Sequence, residues 1–292
     1  MIVSQILGGL GNQMFQYAAG RALSLAVEQP FLLDLRGFNS YALHNGFELG
    51  RIFSAQFKEA TASDISFMLG WRSPELVRKV LKRVKSPLLN GTCLAIEPHF
   101  NYWAGIRVGG LNRYLMGYWQ SEMYFKDHAK ALRSDFKFTL PLDEISLNIA
   151  QCIQNNNAIS LHVRRGDYIT HAPNSKILNV CSVDYYNKAI DYISQRVGSP
   201  HFFLFSDDME WVKATLNIPF KKTYVEHNRG ADNYRDMQLM HLCRHHIIAN
   251  SSFSWWGAWL NPYPDKLVVA PKSWFCDGKV EDDLIPPEWT RL

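Results

Sequence analysis

The chain has 292 residues, of which 47% are hydrophobic and 20% charged, so it is globular and long enough for one large or two ordinary domains. The formal net charge is only +4, which argues against a protein dedicated to nucleic-acid binding. No apolar run in the sequence approaches the length of a membrane span.

The cysteines indicate neither a disulfide framework nor a zinc site, because they are scattered, odd in number and form no Cys-x-x-Cys pair. A reducing compartment fits this usage best, and we expect a cytoplasmic protein. The amino terminus begins directly with an apolar strand, so no signal peptide is predicted. The five cysteines are Cys93, Cys152, Cys181, Cys243 and Cys276.

The first elements of the chain predict a strand–helix–strand unit. The strand Ile2–Leu7 leads through a glycine-rich turn, Gly8–Met14, into a helix over Asn12–Glu28, and a second strand follows at Phe31–Leu35. The glycines of this turn let backbone N–H groups approach a ligand at the positive start of the helix. Tight packing of the helix on the strand explains them equally well.

Residues 36–70 show no regular pattern, and the next predicted element is an amphipathic helix over Pro74–Lys85. Its apolar stripe is expected to consist of Val77, Val80, Leu81 and Val84, and its basic face of Arg78, Lys79, Lys82, Arg83 and Lys85. Such a helix either makes a peripheral contact with an anionic membrane surface or packs by its stripe against the domain.

Three further elements precede the second half of the chain. The pattern predicts a strand over Asn112–Gln120, a helix over Ser121–Phe136 and another helix over Asp143–Asn155. The segment Leu140-Pro141-Leu142, which separates the two helices, marks a candidate domain boundary.

The second half alternates regularly between strands and helices. This alternation predicts a parallel, doubly wound α/β sheet, and right-handed crossovers then place the carboxyl ends of all its strands along one edge. The predicted strands are Ile159–Val163, Phe202–Phe205, Thr223–Val225, His246–Ala249 and Leu267–Ala270, and the predicted helices are Val183–Val197, Asp208–Leu216, Asp232–Cys243 and Phe253–Leu260.

The chemistry is concentrated where the first of these strands ends, in the segment Ala158–Tyr168. One face of the strand carries Ile159, Leu161 and Val163, and the other carries Ser160, His162 and Arg164. The strand ends in Arg165-Gly166-Asp167, where glycine permits a sharp turn. Two guanidinium groups at the carboxyl end of a parallel strand suggest a site for an anionic ligand, and a surface ion-pair cluster is the alternative.

Polar residues also follow the next three strands at the same edge. Ser251 and Ser252 start a helix, and their hydroxyl and free N–H groups would form a cradle for an anion. A carboxylate such as Asp207 or Asp208 suits the N–H edge of a guanine. The combination predicts a purine nucleotide diphosphate as the ligand. The polar segments are Ser206–Asp208, Glu226–Arg229 and Asn250–Ser252.

Three motifs resemble the bacterial α-1,2-fucosyltransferases of glycosyltransferase family 11. They are Gly8–Ala18 (GGLGNQMFQYA), His162–Tyr168 (HVRRGDY) and Ser251–Trp259 (SSFSWWGAW). The resemblance implies an α/β fold of the GT-B type, with two Rossmann-like domains and the nucleotide-sugar site in the cleft. Residues 1–140 would form the acceptor-side domain and residues 141–292 the domain that binds GDP-fucose, with the terminal segment returning to the first domain.

The resemblance also implies roles for individual residues. Arg164 is expected on the β-phosphate, His162 with Asp207 or Asp208 at the guanine, and Asn12 near the reacting centre, while Arg165 would support the site through Asp167. Neither a metal nor another cofactor is expected. The implied catalytic residues are Arg164, Asp167 and Asn12, and the implied donor-binding residues are His162, Arg164, Arg165, Asp207, Asp208, Ser251, Ser252, Gly9 and Gly11.

The implied reaction is an inverting transfer of L-fucose from GDP-fucose to the 2-hydroxyl of a terminal galactose in an acceptor glycan. The base that takes up the hydroxyl proton stays open among Asp167, Asp34 and His227. The acceptor stays open between a lipid-linked O-antigen glycan and a free oligosaccharide. The alternative functions are an α-1,6- or protein O-fucosyltransferase and a non-catalytic nucleotide-sugar or carbohydrate-binding protein. A nucleotide-sugar epimerase or reductase is disfavoured, because the dinucleotide fingerprint and a Tyr-x-x-x-Lys pair are both missing.

Overall fold

The computed structural model describes residues 1–40, 45–84, 87–166, 180–275 and 282–292. These residues form two compact units, each built around one parallel sheet with helices, so the predicted α/β class is confirmed. Within the described ranges, no helix combines the length and the apolarity that crossing a membrane requires.

The chain passes between the two units three times. The first unit contains residues 1–139 and 282–284, and the second contains residues 140–275 and 285–292. The predicted boundary segment at residues 140–142 thus lies where the first unit's continuous stretch ends. Of the terminal segment, residues 282–284 return to the first unit, whereas the last residues belong to the second.

The first unit contains a five-stranded sheet. Its strands are β1 (Ile2–Gln5), β2 (Phe31–Asp34), β3 (Lys58–Glu59), β4 (Leu94–Ile96) and β5 (Arg113–Met116), in the spatial order β3-β2-β1-β5-β4. Its α-helices are α1 (Leu10–Ala26), α2 (Leu49–Ile52), α3 (Ala62–Leu69), α4 (Glu75–Val84), α5 (Pro87–Asn90) and α6 (Ala129–Asp135). Short 3₁₀ helices occupy Arg36–Ser40, Gly70–Arg72, Ala104–Arg107, Glu122–Tyr124 and Lys126–His128.

The second unit contains a six-stranded sheet. Its strands are β6 (Asn157–Val163), β7 (Pro200–Ser206), β8 (Lys221–Val225), β9 (His245–Ile247), β10 (Val268–Ala270) and β11 (Thr290–Arg291), in the order β11-β10-β9-β6-β7-β8. Its α-helices are α7 (Glu144–Gln154), α8 (Val183–Ser194), α9 (Met209–Thr215), α10 (Tyr234–Met240) and α11 (Ser252–Leu260), and a 3₁₀ helix occupies Gly230–Asp232. All strand pairs in both sheets are parallel.

Strand β6 is buried on both faces, as a central parallel strand is expected to be. The predicted alternation is confirmed: Ile159, Leu161 and Val163 lie together in one core cluster, while Ala158 and Phe203 belong to the cluster on the opposite side of the sheet. Each fully buried aliphatic side chain of this kind contributes about 1.5–3 kcal/mol. The motif that follows β6 is therefore anchored in a rigid strand.

Helix α1 approaches the first sheet closely because Gly20 has no side chain. A Cβ at this position would lie 2.3 Å from the Ser4 hydroxyl and 2.5 Å from the Phe31 ring. The Ser4 hydroxyl instead donates to the Gln16 carbonyl at 3.0 Å. The predicted strand, helix and second strand agree with the observed β1, α1 and β2 to within two residues at each end.

The predicted helix over Ser121–Phe136 is wrong in its first part. The Ser121 hydroxyl accepts the Met123 N–H at 3.2 Å and caps a 3₁₀ turn rather than an α-helix. Phe125 then has φ −141° and ψ 0°, outside the α region, so no continuous α-helix can run from Ser121 into α6.

The stretch from 36 to 70 is more regular than the sequence pattern indicates. Helix α3 begins at a capping box, in which the Thr61 hydroxyl accepts the Asp64 N–H at 3.1 Å and the Asp64 carboxylate accepts the Thr61 N–H at 2.9 Å. The Thr-x-x-Asp spacing ahead of the apolar residue Ile65 was the signal that would have predicted this helix.

Helix α4 confirms the predicted element, but Arg78 does not lie on its basic surface. The side chain is buried, 3.8 Å from the Asp34 carboxylate and with its guanidinium 5.0 Å from the centre of the Tyr114 ring. It also donates to the Ser73 carbonyl. The helical pattern predicts that this arginine is exposed to solvent. Its attraction to the buried carboxylate of Asp34 instead compensates the cost of burying the guanidinium.

The apolar stripe of α4 is also divided. Val77 and Leu81 pack against the core of the first unit, whereas Val80 and Val84 each remain 55% exposed. The prediction that all four residues form one packed stripe is therefore wrong for Val80 and Val84. Lys85 lies outside the described residues.

A buried histidine connects β9 to β6 and to the chain that follows α11. His246 Nδ1 lies 2.7 Å from the Ser160 hydroxyl, and its Nε2 lies 2.7 Å from the Asn261 amide nitrogen. Because an amide nitrogen only donates, Nε2 is the acceptor and Nδ1 carries the proton. Burial holds the pKa of His246 well below its ordinary value, so the ring is neutral.

Replacing His246 by glutamine should flatten the pH dependence of stability. The buried ring stays neutral, whereas in the unfolded chain it binds a proton below about pH 6.5, so the free energy of unfolding falls as the pH drops. The limiting slope is about 1.4 kcal/mol per pH unit for one such group. Urea unfolding at several pH values between about 7.5 and 5 measures the slope, with exposed His99→Gln as control. A slope in His246→Gln as steep as in the unmodified protein would contradict this assignment.

Candidate active site

The carboxylate of Asp207 organises the turn that follows β6. Asp207 lies just after β7, the neighbour of β6, and its two oxygens accept the backbone N–H groups of Arg165 at 2.9 Å and Gly166 at 3.0 Å. Its Oδ2 also lies 3.2 Å from Arg164 Nε. A Cβ at position 166 would lie 3.0 Å from this same oxygen, so glycine permits the close approach.

Arg165 points to other neighbours than Arg164 does. Its guanidinium lies 4.1 Å from the centre of the Trp211 ring, and its Nε lies 3.5 Å from the Asp208 carboxylate. Asp208 in turn caps α9 by accepting the Trp211 N–H at 3.2 Å. Arg165 and Asp208 thus share a structural cluster at the start of α9, whereas the predicted support through Asp167 lies outside the described residues.

His162 lies at the end of β6, buried beside the aromatic ring of Phe253, with the ring centres 6.1 Å apart. Burial lowers the pKa of His162 to about 3, and the charge of Arg164 acts in the same direction. The imidazole is therefore neutral at physiological pH. Its Nδ1 is buried and has no hydrogen-bond partner among the described residues. Because buried polar atoms are rarely left unpaired in native proteins, this nitrogen is a candidate for a contact with a group outside the described residues.

Helix α11 starts at the same edge of the sheet, because it follows β9, the other neighbour of β6. Ser251 is its N-cap residue but makes no capping hydrogen bond through its side chain. Its backbone N–H donates to the Ala249 carbonyl at 2.8 Å, so the prediction of a free N–H at Ser251 is wrong. The donors that suit an anion begin with Ser252, in the first turn, where N–H groups have no acceptor inside the helix.

The chain after β8 adds two polar pairs in the second unit. His227 Nε2 lies 2.8 Å from the Ser146 hydroxyl and 3.9 Å from the Asp143 carboxylate. The Asn228 amide donates to Asp236 at 2.8 Å. Burial raises the pKa of Asp236 to about 7, which makes it a titrating carboxyl that the sequence analysis missed. In the sequence, Asp236 looks like an ordinary acidic residue that stabilises the first turn of a helix through the helix dipole, so nothing marked it as buried.

In the first unit, the glycine motif forms the start of α1 after β1. Gly9 is the N-cap residue with an extended backbone, and Gly11 lies in the first helical turn. Gln13 connects this turn to a distant loop: its amide donates to the Gly46 carbonyl at 2.7 Å and accepts the Glu48 N–H at 2.9 Å. The predicted donor contacts of Gly9 and Gly11 stay predictions, whereas the motif's glutamine is structural.

Asn12 belongs to a second polar cluster, at the carboxyl edge of the first sheet. The Gln120 amide donates to the Asn12 side chain at 2.7 Å, and the adjacent Tyr118 and Trp119 donate their N–H groups to Glu97 at 2.6 and 2.8 Å. Burial raises the pKa of Glu97 to about 7, although these two hydrogen bonds act in the opposite direction. The sequence analysis missed Glu97, because the short strand β4 before it went unrecognised, and it assigned Gln120 to a strand.

Asp34 lies at the same edge but does not fit the role of a catalytic base. It is buried, accepts two hydrogen bonds at 2.9 Å from the Arg36 guanidinium and one at 2.6 Å from the Tyr114 hydroxyl. Burial raises the pKa of Asp34, but these hydrogen bonds outweigh burial and hold it below the ordinary value. A carboxylate that already accepts this many hydrogen bonds and has a lowered pKa is a weak proton acceptor.

The structure therefore brings some of the predicted residues together and not others. His162, Arg164, Asp207 and the start of α11 share one edge of the second sheet. Asn12 lies at the corresponding edge of the first unit's sheet. Asp167 lies outside the described residues. In the parts of the chain that the structure describes, no group of three or more His, Cys, Asp or Glu residues is arranged to hold a metal ion.

Comparisons with known proteins agree with these motifs. The family model described as glycosyl transferase family 11 matches residues 102–292. The chain is 34% identical over 299 residues to an α-1,2-colitosyltransferase of Escherichia coli, covering 100% of this chain and 99% of that protein. It is 30% identical over 302 residues to galactoside α-(1,2)-fucosyltransferase 2 of Rattus norvegicus, covering 100% of this chain and 77% of that protein.

Among solved structures, the chain is similar to the α-1,6-fucosyltransferase NodZ of Bradyrhizobium co-crystallised with GDP. The TM-score is 0.50 at 15% sequence identity, and the match covers 89% of this chain and 92% of that one, which supports the fold alone. Identity across the whole length to a curated relative, together with the family model, settles membership: the chain belongs to glycosyltransferase family 11.

Proposed function

We propose that this glycosyltransferase transfers L-fucose from GDP-fucose to the 2-hydroxyl of a terminal galactose in an acceptor glycan, with inversion to an α-1,2 linkage. The observation that carries the proposal is the turn at the end of β6, which Asp207 holds and which carries Arg164 at the same edge of the sheet as the start of α11. Guanidinium groups and helix starts are the two features that proteins most often aim at a diphosphate.

These two features would act on the leaving group. As the bond from the anomeric carbon to the β-phosphate oxygen breaks, negative charge grows on that phosphate. A preorganised Arg164 and the first-turn N–H groups of α11 stabilise this charge more in the transition state than in the ground state, which lowers the barrier. The acceptor 2-hydroxyl attacks from the opposite face of the sugar, so the configuration at the anomeric carbon inverts.

The neutral ring of His162 supports a role at the nucleotide base. A neutral imidazole has one donor and one acceptor nitrogen, and guanine presents both kinds of group at its edge. Its Nδ1 has no partner among the described residues, so we assign this nitrogen to the contact with the base. Asp207 is occupied by the β6 turn and Asp208 by the cap of α9, so the predicted guanine contacts of these carboxylates depend on their remaining acceptor capacity.

We also propose that the transfer needs no metal ion. The two neighbouring carboxylates that suit a divalent cation best, Asp207 and Asp208, are each within 3.5 Å of a guanidinium nitrogen. Carboxylates neutralised by arginine have little left to offer a hard cation, and Arg164 supplies the positive charge that a metal would otherwise bring.

Two of the predicted candidates remain for the group that takes up the acceptor proton. His227 has a hydrogen-bonding hydroxyl partner in Ser146 and a nearby carboxylate in Asp143, an arrangement that orients an imidazole. Asp167 is the other candidate. A dissociative path, in which the bond to the leaving group breaks before the hydroxyl attacks, would need less assistance from either residue.

A colitosyl donor is the second candidate, because an α-1,2-colitosyltransferase is similar to this chain over its full length. Colitose is L-fucose without its 3-hydroxyl group, so the same diphosphate site would serve both sugars. The difference would arise from polar side chains near the sugar's third carbon. A site built to bond that hydroxyl rejects the sugar that lacks it far more strongly than the reverse.

The donor and the linkage are tested together on the full chain. GDP-fucose and a β-galactoside should yield an α-1,2-linked product by NMR, at the same rate with and without a chelator. GDP should raise the melting temperature, and NAD should not. An α-1,6 linkage, or transfer from GDP-colitose with none from GDP-fucose, would overturn the proposed donor and linkage. Binding of GDP without any transfer would favour a non-catalytic nucleotide-sugar protein.

Arg164→Ala should lower kcat by about 10²–10³-fold, because it removes charge stabilisation at the leaving phosphate. The matched control is Arg196→Ala, at an exposed arginine of the second unit. Circular dichroism and the melting temperature check that both variants are folded. Near-normal turnover in folded Arg164→Ala would refute the role of this guanidinium.

Asp207→Asn should lower kcat by about 10–100-fold and weaken GDP binding, since an amide cannot accept all three hydrogen bonds that the carboxylate accepts. If Asp207 acts by positioning Arg164, the double variant with Arg164→Ala should be little worse than Arg164→Ala alone. Fully additive losses would show that the two side chains act independently. Asp191→Asn, at an exposed position of α8, is the control.

A further inference from the structure

The first unit carries an unusually apolar outer surface on three consecutive elements: α3, the Gly70–Arg72 turn and α4. Phe67 on α3 is 81% exposed, Trp71 in the turn is 58% exposed, and Leu76 on α4 is 76% exposed. Single exposed apolar side chains need no explanation, but large ones on adjoining elements indicate an interaction surface. We call these elements the α3–α4 surface.

Helix α4 has two apolar rows rather than one. The row that contains Val77 and Leu81 packs against the core of the first unit. The second row consists of Leu76, Val80 and Val84, spaced by four residues, and its members are 76%, 55% and 55% exposed. A helix that only packs against its own domain needs a single stripe, so the second row is left for an external partner.

The second row is bordered by positive charge. Lys79, Lys82 and Arg83 are exposed on the same helix, and the one acidic side chain of α4, Glu75, pairs with Lys79 at 2.7 Å. On α3, Asp64 is held in its capping box. The buried Arg78 is matched by Asp34 and adds nothing to the surface. The exposed charge of α4 is therefore positive.

We propose that the α3–α4 surface docks on an anionic lipid bilayer. Apolar side chains that project from a helix, together with adjacent lysine and arginine, are the combination that binds a helix into the interface of a negatively charged membrane. An exposed tryptophan suits the boundary between headgroups and acyl chains. The bilayer supplies both the negative charge and the apolar layer that this surface requires, and the proposal does not depend on which sugar is transferred.

Vesicle co-sedimentation of the full chain tests the proposal. The protein should bind phosphatidylcholine vesicles that contain phosphatidylglycerol, bind pure phosphatidylcholine poorly, and dissociate as salt is raised. The triple variant Lys79→Gln/Lys82→Gln/Arg83→Gln and the double variant Leu76→Ser/Val80→Ser should each weaken binding by at least about tenfold. The matched apolar control is Ile145→Ser/Leu147→Ser, at residues of α7 that are 57% and 49% exposed.

Two further readouts keep the outcome unambiguous. Brominated lipids should quench the fluorescence of the unmodified protein more than that of Trp71→Phe, and transfer to a water-soluble acceptor should be unchanged in the surface variants. Equal vesicle binding by the variants and the unmodified protein would overturn the proposal. So would an absence of vesicle binding combined with self-association that Leu76→Ser/Val80→Ser abolishes, which would assign the surface to a second copy of the chain.

Discussion

The hydrogen bonds that Asp207 accepts are the interaction on which the proposed chemistry depends. One carboxylate holds two backbone N–H groups of the β6 turn and the guanidinium of Arg164, and it is itself held at the end of β7. The parallel pairing of β6 and β7 brings these groups together. Because both strands are buried in the core, they anchor the backbone on which Arg164 and Asp207 stand, and an anchored charge is what electrostatic preorganisation requires.

The two sheets place different kinds of polar group at their carboxyl edges. The second sheet presents a guanidinium, a neutral imidazole and a helix start, all suited to a nucleotide diphosphate. The first presents an amide pair, Asn12 and Gln120, and a carboxyl, Glu97, whose pKa burial raises to about 7, so that it is about half protonated at neutral pH. Amide and carboxyl groups suit the hydroxyl groups of a sugar better than they suit a phosphate.

Local sequence pattern predicted five of the six strands of the second sheet because apolar strands and helices alternate regularly there, and in β6 the alternation of Ile159, Leu161 and Val163 adds a period of two. It failed where a tertiary contact overrides the local pattern. Arg78 is drawn inward by Asp34, and the backbone of Ser251 is turned towards Ala249, and neither partner is visible from spacing. Short strands such as β4 carry too few residues for a periodic signal, so Glu97 went unnoticed. The position of Arg164 at the end of β6 was predictable, because strand parity and the motif agreed on it; its role on the phosphate stays a prediction.

The return of residues 282–284 to the first unit has a consequence for how the protein is made. The Asp283 carboxylate accepts the Tyr102 N–H at 3.0 Å, so a piece of the first unit is translated after residues 140–275 of the second unit. The first unit cannot be completed until residues 282–284 have left the ribosomal exit tunnel. For the same reason, a chimera made by exchanging residues 1–139 with a relative would join a new amino-terminal unit to the old closing segment. The exchange has to include both pieces.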